Sequence, residues 1–317
     1  MAIKYRFPFI IYLLFVTNTC KTISTKTDYP ALYNYISVKN FGAIGNGIND
    51  DTRAFKQALE NCKSSSILRI NNTNAGPRGT GILHIPKGIY KITETIELKH
   101  FNGLRIIGDG IENTVIVYSK DEACLFDCDQ LINFSIENIE IENGIVKLTN
   151  NNKIYIDNFL NSKAICFEWN GNSGDRFLKF QDVLCTTKFE YFWIINGSTT
   201  HSEVSYIRCT FLNANNIIKL NNPQSVNHSF HDCNFELNSG KIFTIKAGGF
   251  INIYGGSIVL VNDLFYFDPS PHGIGIHNNQ YTITNTRIEL SNSRNLNNAP
   301  MIVNSVSTTN CDIFLIK

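Results

Sequence analysis

The second half of the chain repeats a short pattern at intervals of about two dozen residues. Five segments align: S-Y-I-R-C-T-F (205–211), F-H-D-C-N-F (230–235), I-Y-G-G-S-I (253–258), I-T-N-T-R-I (283–288) and T-T-N-C-D-I (308–313). Their equivalent residues are 24, 23, 30 and 25 positions apart: Cys209, Cys233, Gly256, Thr286 and Cys311. Such a period, with β-branched and aromatic residues in each unit, is typical of a solenoid whose coils stack on each other. The repeat therefore predicts an all-β parallel β-helix, and residues 136–141 and 180–184 carry the same element earlier in the chain.

A second strand can be aligned in each coil. The segments are A-I-C-F-E-W (164–169), F-W-I-I-N (192–196), I-I-K-L-N (217–221), I-F-T-I-K (242–246) and L-F-Y-F-D (264–268). Because side chains alternate along a strand, the apolar positions face inward. These are Ile165, Phe167, Trp193, Ile195, Ile218, Leu220, Phe243, Ile245, Phe265 and Phe267. The outward positions form one column of Cys166, Ile194, Lys219, Thr244 and Tyr266, and a second of Glu168, Asn196, Asn221, Lys246 and Asp268.

The segment before these repeats predicts a cap for the open end of the solenoid. A glycine-rich turn (Gly42, Gly45, Gly47) is followed by Asn49 or Asp50 as helix cap, and Asp51 favours the positive helix N-terminus. Apolar residues then recur on one helical face: Phe55, Ala58, Leu59 and Cys62. No P-loop lysine follows the glycines, so the turn does not indicate nucleotide binding.

Three separated motifs give a resemblance to a known family. They are V-K-N-F-G-A-I-G-N-G-I-N-D-D-T-R-A-F-K-Q-A-L (38–59), G-I-L-H-I-P-K-G-I-Y-K-I (81–92) and L-R-I-I-G-D-G-I-E-N-T-V-I (104–116). In this order they resemble the N-terminal cap and first coils of the pectate-lyase-like family, of the rhamnogalacturonase and epimerase type. The resemblance implies a right-handed parallel β-helix with a capping helix, and it points to polysaccharide. We expect the cap and first coils at 36–118 and repeated coils at 119–317.

The N-terminus and the cysteines suggest export. Lys4 and Arg6 precede an apolar run, 7–16, that is too short to span a bilayer, so residues 1–24 are predicted to be a signal peptide. Nine cysteines are present, and removal of Cys20 with the signal leaves an even number, which permits disulfides. Cys124 and Cys128 are close enough in sequence to pair. We expect a secreted or cell-surface protein.

Candidate catalytic residues come from the first strand series. His231 and Tyr254 are predicted to lie one coil apart and outward, with Asp232 adjacent. A histidine or tyrosine can transfer protons in β-elimination from a uronate. The candidate substrate-binding residues are Glu168, Asn196, Asn221, Lys246, Asp268, Lys219 and Tyr266. The alternative for any of these residues is a solvated sheet face.

The catalytic motifs of the polygalacturonase branch are missing. That branch carries N-T-D, D-D, G-H-G and R-I-K, whereas here Asp50-Asp51 belongs to the capping helix and Arg287-Ile288-Glu289 ends in the wrong charge. A pectate-lyase calcium site would need a tight aspartate cluster, which the sequence does not indicate, and no zinc spacing is present. No cofactor is therefore expected, and no catalytic residue is carried over from the family.

Three functions follow from these observations. The first is a secreted polysaccharide lyase or glycoside hydrolase, and the second is a non-catalytic carbohydrate-binding or surface-attachment protein. The third is a tailspike-like depolymerase subunit. A net charge of +1 gives no indication of a nucleic-acid partner. The chain stops in a strand pattern at 311–317, so the last strand folds back, a partner subunit such as that of a trimer covers it, or the sequence is truncated.

Overall fold

The computed structural model describes residues 35–64, 79–121, 123–149, 152–163, 166–171, 175–186, 190–212, 216–236, 241–261, 263–267, 281–290 and 306–315. These residues belong to one compact unit, Tyr33–Lys317. The predicted signal peptide and Asp268 lie outside the described residues. In the part of the chain that the structure describes, no helix combines the length and apolar character needed to cross a bilayer.

One α-helix, one 3-10 turn (Val38–Phe41) and 27 strands make up the described chain. The first elements are β1 (Tyr35–Ser37), β2 (Asn46–Asp50), α1 (Thr52–Ser64), β3 (Gly79–Ile85), β4 (Gly88–Ile92), β5 (Ile96–Lys99), β6 (Phe101–Gly108), β7 (Thr114–Tyr118), β8 (Cys124–Asp129) and β9 (Ile132–Glu142). Next come β10 (Ile145–Thr149), β11 (Asn152–Lys163), β12 (Cys166–Gly171), β13 (Asp175–Cys185), β14 (Trp193–Gly197), β15 (His201–Ile207), β16 (Thr210–Leu212), β17 (Asn216–Asn221) and β18 (Ser225–His231). The last are β19 (Asn234–Glu236), β20 (Lys241–Ala247), β21 (Ile251–Tyr254), β22 (Ser257–Val261), β23 (Asp263–Phe267), β24 (Tyr281–Thr284), β25 (Arg287–Leu290), β26 (Val306–Thr309) and β27 (Asp312–Leu315).

These strands pair only with strands of neighbouring coils, and every pairing is parallel. An eight-stranded sheet, here the small sheet, runs in the order β5-β8-β10-β12-β14-β17-β20-β23. The large sheet has two arms. The first arm contains β3, β6, β15, β18, β21, β24 and β26, and the second contains β4, β7, β16, β19, β22, β25 and β27, while β9, β11 and β13 run through both. The chain is a right-handed parallel β-helix, as predicted.

A sharp corner separates the two arms, and in seven of the described coils one residue adopts a left-handed conformation there. The φ angle lies between 50° and 70° at Asn138, Asp182, Arg208, Asp232, Gly255, Asn285 and Asn310. Asparagine, aspartate and glycine tolerate this conformation better than other residues, which explains why they recur at this position. The residue after the corner is Cys209, Cys233, Gly256 and Thr286 in four successive coils, and the side chains of Cys209, Cys233 and Thr286 are buried. The sequence repeat is therefore the corner and its two flanking strands.

The interior is packed with the apolar side chains that strand alternation predicts. Trp193, Ile195, Ile218, Leu220, Phe243 and Ile245 are all buried in the core. Aromatic rings stack from coil to coil, for example Tyr206 on Phe230 with centroids 4.2 Å apart and an interplanar angle of 1°. In-register stacking of like residues is what a solenoid with nearly equal coils imposes.

A buried polar cluster interrupts this core beside β15 and β18. The Ser225 hydroxyl lies between two imidazoles, 3.1 Å from Nδ1 of His201 and 2.8 Å from Nε2 of His228. The two rings stack at 5.6 Å, and all three residues are fully buried. Burial lowers the pKa of both histidines, that of His228 to about 3. Both rings are therefore neutral in the folded protein at neutral pH.

The glycine-rich turn and α1 form a hydrogen-bonded cap. The buried carboxylate of Asp51 accepts from the backbone N–H groups of Ile44 (2.6 Å) and Gly45 (3.0 Å). Its carbonyl accepts from Phe55, so Asp51 is the helix cap, whereas the Asp50 side chain accepts from the N–H of Thr52. Of the two predicted caps, Asp50 therefore caps the first turn through its side chain, whereas the backbone hydrogen bonds of the helix begin at Asp51. The predicted apolar face of Phe55, Ala58, Leu59 and Cys62 is buried as expected.

The described cysteines are free thiols. Cys62, Cys128, Cys185, Cys209 and Cys233 are buried, and Cys124 and Cys311 are partly exposed. Cys124 and Cys128, which are close enough in sequence to pair, do not form a disulfide. Burial raises the pKa of the Cys62 thiol to about 12. These thiols act as small apolar side chains of the core.

Candidate functional site

Charged side chains cluster on the outer face of the small sheet in its first four strands. Glu97 pairs in register with Asp127, Asp127 with Lys147, and Lys147 with Glu168. In the neighbouring column Lys99 pairs with Asp129. The residues between them, Leu98, Phe126 and Cys128, are buried. Alternation along β5 and β8 therefore aims the charged side chains away from the core and onto one face.

Two carboxylates of this cluster belong to the same strand. Asp127 and Asp129 are two residues apart on β8 and project to the same side, so their backbones are about 6.8 Å apart. Lys99 lies beside them, with Nζ 3.5 Å from Asp127 and 3.2 Å from Glu97. The hydrogen bond to Glu97 and the nearby Asp127 raise the pKa of Lys99. Two carboxyl groups on residues spaced in this way can lie on opposite sides of a glycosidic bond and leave room for a water molecule.

The strand series predicted from the sequence does not include this cluster, because that series begins too late in the chain. The aligned strands of the small sheet started at residue 164, whereas C-L-F-D-C-D (124–129) and I-V-K-L-T (145–149) are earlier members of the same series. Their signal was the alternation of buried apolar residues with Asp127, Asp129 and Lys147. The coil period, extended backwards from 166 in steps of about twenty residues, leads to both strands.

Further along the small sheet the outer face is amide-rich and partly covered. The Asn221 side chain donates to the Asn196 side chain at 3.4 Å. Tyr191 packs across the next strands, with its hydroxyl 3.3 Å from Thr244 and its ring centroid 5.4 Å from Nζ of Lys219. Thr244, predicted to face outward in the open, is therefore buried. Lys246 is exposed, at a register shift between β17 and β20.

One predicted column is wrong in register. Glu168 pairs with Ile194, and Asn170 pairs with Asn196, so Glu168 belongs to the column of Lys219 and Tyr266. The alignment was displaced by two residues, which keeps the same face but changes the neighbours. The strand backbone at Tyr266 pairs with Thr244 as aligned. The binding roles of these residues stay predictions.

The predicted catalytic residues meet, but on another face. His231 and Tyr254 pair in register on the first arm, with ring centroids 5.0 Å apart and an interplanar angle of 17°. Both are exposed, and so is Asp232. However, Asp232 is the left-handed corner residue of its coil, with φ 52°. A structural reason therefore accounts for an aspartate at this position.

The catalytic and substrate-binding predictions cannot describe one site. Asn221 ends β17 on the small sheet, whereas His231 ends β18 on the first arm after an intervening turn. The length of β18 alone places about 20 Å between them. A sugar bound over Asn196 and Asn221 is therefore out of reach of His231 and Tyr254.

The corner beside His231 carries an ion pair. Arg208 donates to both carboxylate oxygens of Asp182, each at 2.6 Å. This hydrogen bond lowers the pKa of Asp182. Among the described residues no group of three histidine, cysteine, aspartate or glutamate side chains is arranged to hold a metal ion.

Comparison with known proteins confirms the resemblance stated from the three motifs. Residues 35–183 match the family described as rhamnogalacturonase A/epimerase, pectate lyase-like. No curated protein is significantly similar in sequence. This segment contains the cap, the first coils and the charged cluster of the small sheet.

Several solved structures are similar to the chain. They include ORF18 of Geobacillus virus E2 (17% identity, TM-score 0.49) and the mannuronan C-5 epimerase AlgE4 A-module of Azotobacter vinelandii (12%, 0.46). A third is the family 28 exopolygalacturonase of Yersinia enterocolitica (12%, 0.49). Each comparison covers 89% of this chain, and 60%, 96% and 70% of the respective structure. The chain thus spans about 60% of the viral protein's length.

Proposed function

We propose that this protein binds a polysaccharide along the outer face of the small sheet and hydrolyses it with the carboxyl pair Asp127 and Asp129. The observation that carries the proposal is the placement of Asp127 and Asp129 on one face of β8, with their backbones about 6.8 Å apart. The segment that matches the pectate-lyase-like family, residues 35–183, contains this pair, and that supports a polysaccharide as substrate.

The chemistry needs two carboxyl groups with different roles. One protonates the glycosidic oxygen as the bond breaks, and the other removes a proton from the attacking water. Separations of roughly 6.5–9.5 Å leave room for that water and lead to inversion at the anomeric carbon. The backbone spacing of Asp127 and Asp129 on β8 allows their carboxyl groups to lie this far apart, so we expect an inverting hydrolase. Lys147, one coil further on, is placed to bind sugar hydroxyls on the same face, and Glu168 pairs with it in register in the next coil and is proposed to extend the binding site.

The protein is proposed to act outside the cell. The predicted signal peptide at 1–24 supports this location, because extended polysaccharides are extracellular substrates. The stacked β-helix face also suits a long ligand, since equivalent outward positions recur at about 4.8 Å from coil to coil.

The test uses residues 25–317 on a panel of acidic and neutral polysaccharides. New reducing ends and new unsaturated uronates are followed in parallel. We expect reducing ends without unsaturated products, and a loss of roughly 10²-fold or more in D127N and D129N. D232N is the matched control, because asparagine already occupies the same corner at Asn138, Asn285 and Asn310.

Other outcomes would reject this assignment. Unsaturated products would indicate a lyase, and inactive H231Q or Y254F variants beside an active D127N would move the site to the first arm. The ion pair of Lys99 with Asp127 favours a second function, non-catalytic binding, because it engages one of the two proposed catalytic carboxylates. Retained binding with no new reducing ends on any polysaccharide would support that function.

A further inference from the structure

We infer that the outer face of the first arm is a second carbohydrate-binding surface, which holds an uncharged polysaccharide chain by ring stacking and hydroxyl hydrogen bonds. The inference rests on the proposed polysaccharide substrate but not on the carboxyl pair that cleaves it. The surface is defined by two aromatic platforms, one around Tyr35 and one around Tyr254, and by the polar residues alongside the second.

The first platform lies near the cap. Tyr35 is 61% exposed, and its ring lies 5.1 Å from that of His84. Asp109 fixes this imidazole through a 2.6 Å contact to Nε2, and its other oxygen accepts from the N–H of Lys87. The hydrogen bond with His84 and that with the Lys87 amide lower the pKa of Asp109. The platform is thus a held imidazole with an exposed phenol ring beside it.

The second platform is the stacked pair of His231 and Tyr254, in which Tyr254 is 40% exposed. Following the register from β3 through β6, β9, β11, β13 and β15 to β18, His231 lies six coils after His84, in the same outward column. Six coils correspond to about 29 Å along the axis. A polysaccharide running along the axis therefore contacts both platforms at once.

Polar residues that run alongside the second platform suit hydroxyl groups. Ser229 donates to Ser205 one coil before it, and Thr282 donates to Asn252 in the next pair of coils. These side chains form an outward column of hydroxyl and amide groups on β15, β18, β21 and β24. Each such group both donates and accepts, as the hydroxyls of a sugar do.

The charges of this face argue against an acidic ligand. Arg105 is held by Glu137 at 3.0 and 2.7 Å, and Arg208 is held by Asp182. On the first-arm strands and the residue directly after each, the described acidic side chains are Asp109, Glu137, Asp182, Glu203 and Asp232, against the cations Arg105, Lys179 and Arg208. A polyuronate would meet carboxylates at least as numerous as the cations, which is unfavourable. A neutral chain avoids this repulsion.

The experiment measures binding in the D127N/D129N background, so that cleavage does not remove the ligand. The probes are immobilised polygalacturonate, its carboxyl-reduced form and a set of neutral plant, fungal and bacterial polysaccharides. We expect binding to a neutral probe that changes little with salt, and weaker binding to polygalacturonate than to its reduced form.

Variants then locate the surface. Y35A and Y254A should each weaken binding by about tenfold, while Y35F and Y254F should keep it. D182N removes the negative charge that pairs with Arg208, at a corner where asparagine is tolerated, and it should raise affinity for polygalacturonate. Folded alanine variants with unchanged affinity, or no retention of the background protein on any probe, would overturn the inference. A wild-type protein that binds a polysaccharide but cleaves none would reject only the proposed hydrolase.

Discussion

The buried histidines of β15 and β18 predict that the protein loses stability between pH 7 and pH 5. His228 has a pKa of about 3 in the folded state against 6.5 when unfolded. Its folded-state pKa is lowered, so the unfolded chain binds the proton first, and stability falls as pH drops below about 6.5. At pH 5 the unfolded imidazole is about 97% protonated and the folded one is neutral, which costs about 2 kcal/mol relative to pH 7.

His201 adds to this loss because burial and the neighbouring His228 lower its pKa as well. Carboxylates contribute little in this window, since their unfolded pKa values lie near 4. Urea unfolding at pH 7, 6 and 5 measures the slope of the free energy of unfolding against pH. H228L should remove a large part of it, because Leu178, Val204 and Ile251 occupy the same buried register position in neighbouring coils.

The control is H231L on the same strand, where the ring is exposed. It should leave the slope unchanged. The reasoning would be refuted by a wild-type stability that stays constant between pH 7 and pH 5, or by an H228L slope equal to that of wild type.

Three further predictions concern the scaffold. D51A leaves the N–H groups of Ile44 and Gly45 without their acceptor and should lower the free energy of unfolding in urea by about 3 kcal/mol. The control D121A changes an exposed residue and should have an effect near zero. A loss below about 1 kcal/mol in D51A would contradict the role of Asp51 in the cap. G256C should destabilise the protein although neighbouring coils carry cysteine at this position, because φ is 76° and an added Cβ would lie 1.9 Å from the Cys233 carbonyl oxygen. T286C is the control variant and should be tolerated. Equal melting temperatures of the two variants would refute the clash. Alkylation of the native protein should leave Cys209 unmodified, since burial raises the pKa of its thiol, while the partly exposed Cys311 reacts. Peptide mass spectrometry measures the modification of each cysteine. Faster modification of Cys209 than of Cys311 would contradict the burial of Cys209.

The fold could be predicted because each coil repeats the same physical constraints. The corner needs a residue that tolerates φ near +50°, and the position after it must fit inside the core. Asp232 followed by Cys233 and Asn310 followed by Cys311 satisfy both needs, so the period is visible in the sequence. Inward residues such as Trp193 and Phe243 followed directly from strand alternation.

The site could be predicted only in part, because alternation tells inward from outward but does not tell one outer face from another. His231 and Tyr254 were correctly paired across coils, yet nothing in their local sequence shows that the small sheet lies around a corner. The two-residue error at Glu168 has the same origin, since a shift of two preserves the face. The burial of Thr244 under Tyr191 depends on a loop that has no repeat.

The division of the charged residues between the faces bears on where catalysis takes place. On the first arm, Asp109, Glu137 and Asp182 are held by His84, Arg105 and Arg208, so these carboxylates are engaged in fixing neighbouring side chains. On the small sheet, Asp127 and Asp129 share one strand face. The ion pair of Asp127 with Lys99 is a single contact of 3.5 Å, longer than the ion pairs of the first arm. A general acid and base must be able to exchange protons with substrate, which a bidentate ion pair opposes. The three held carboxylates of the first arm therefore favour the small sheet as the place of the proposed hydrolysis, and they fit the proposed role of the first arm in holding a chain.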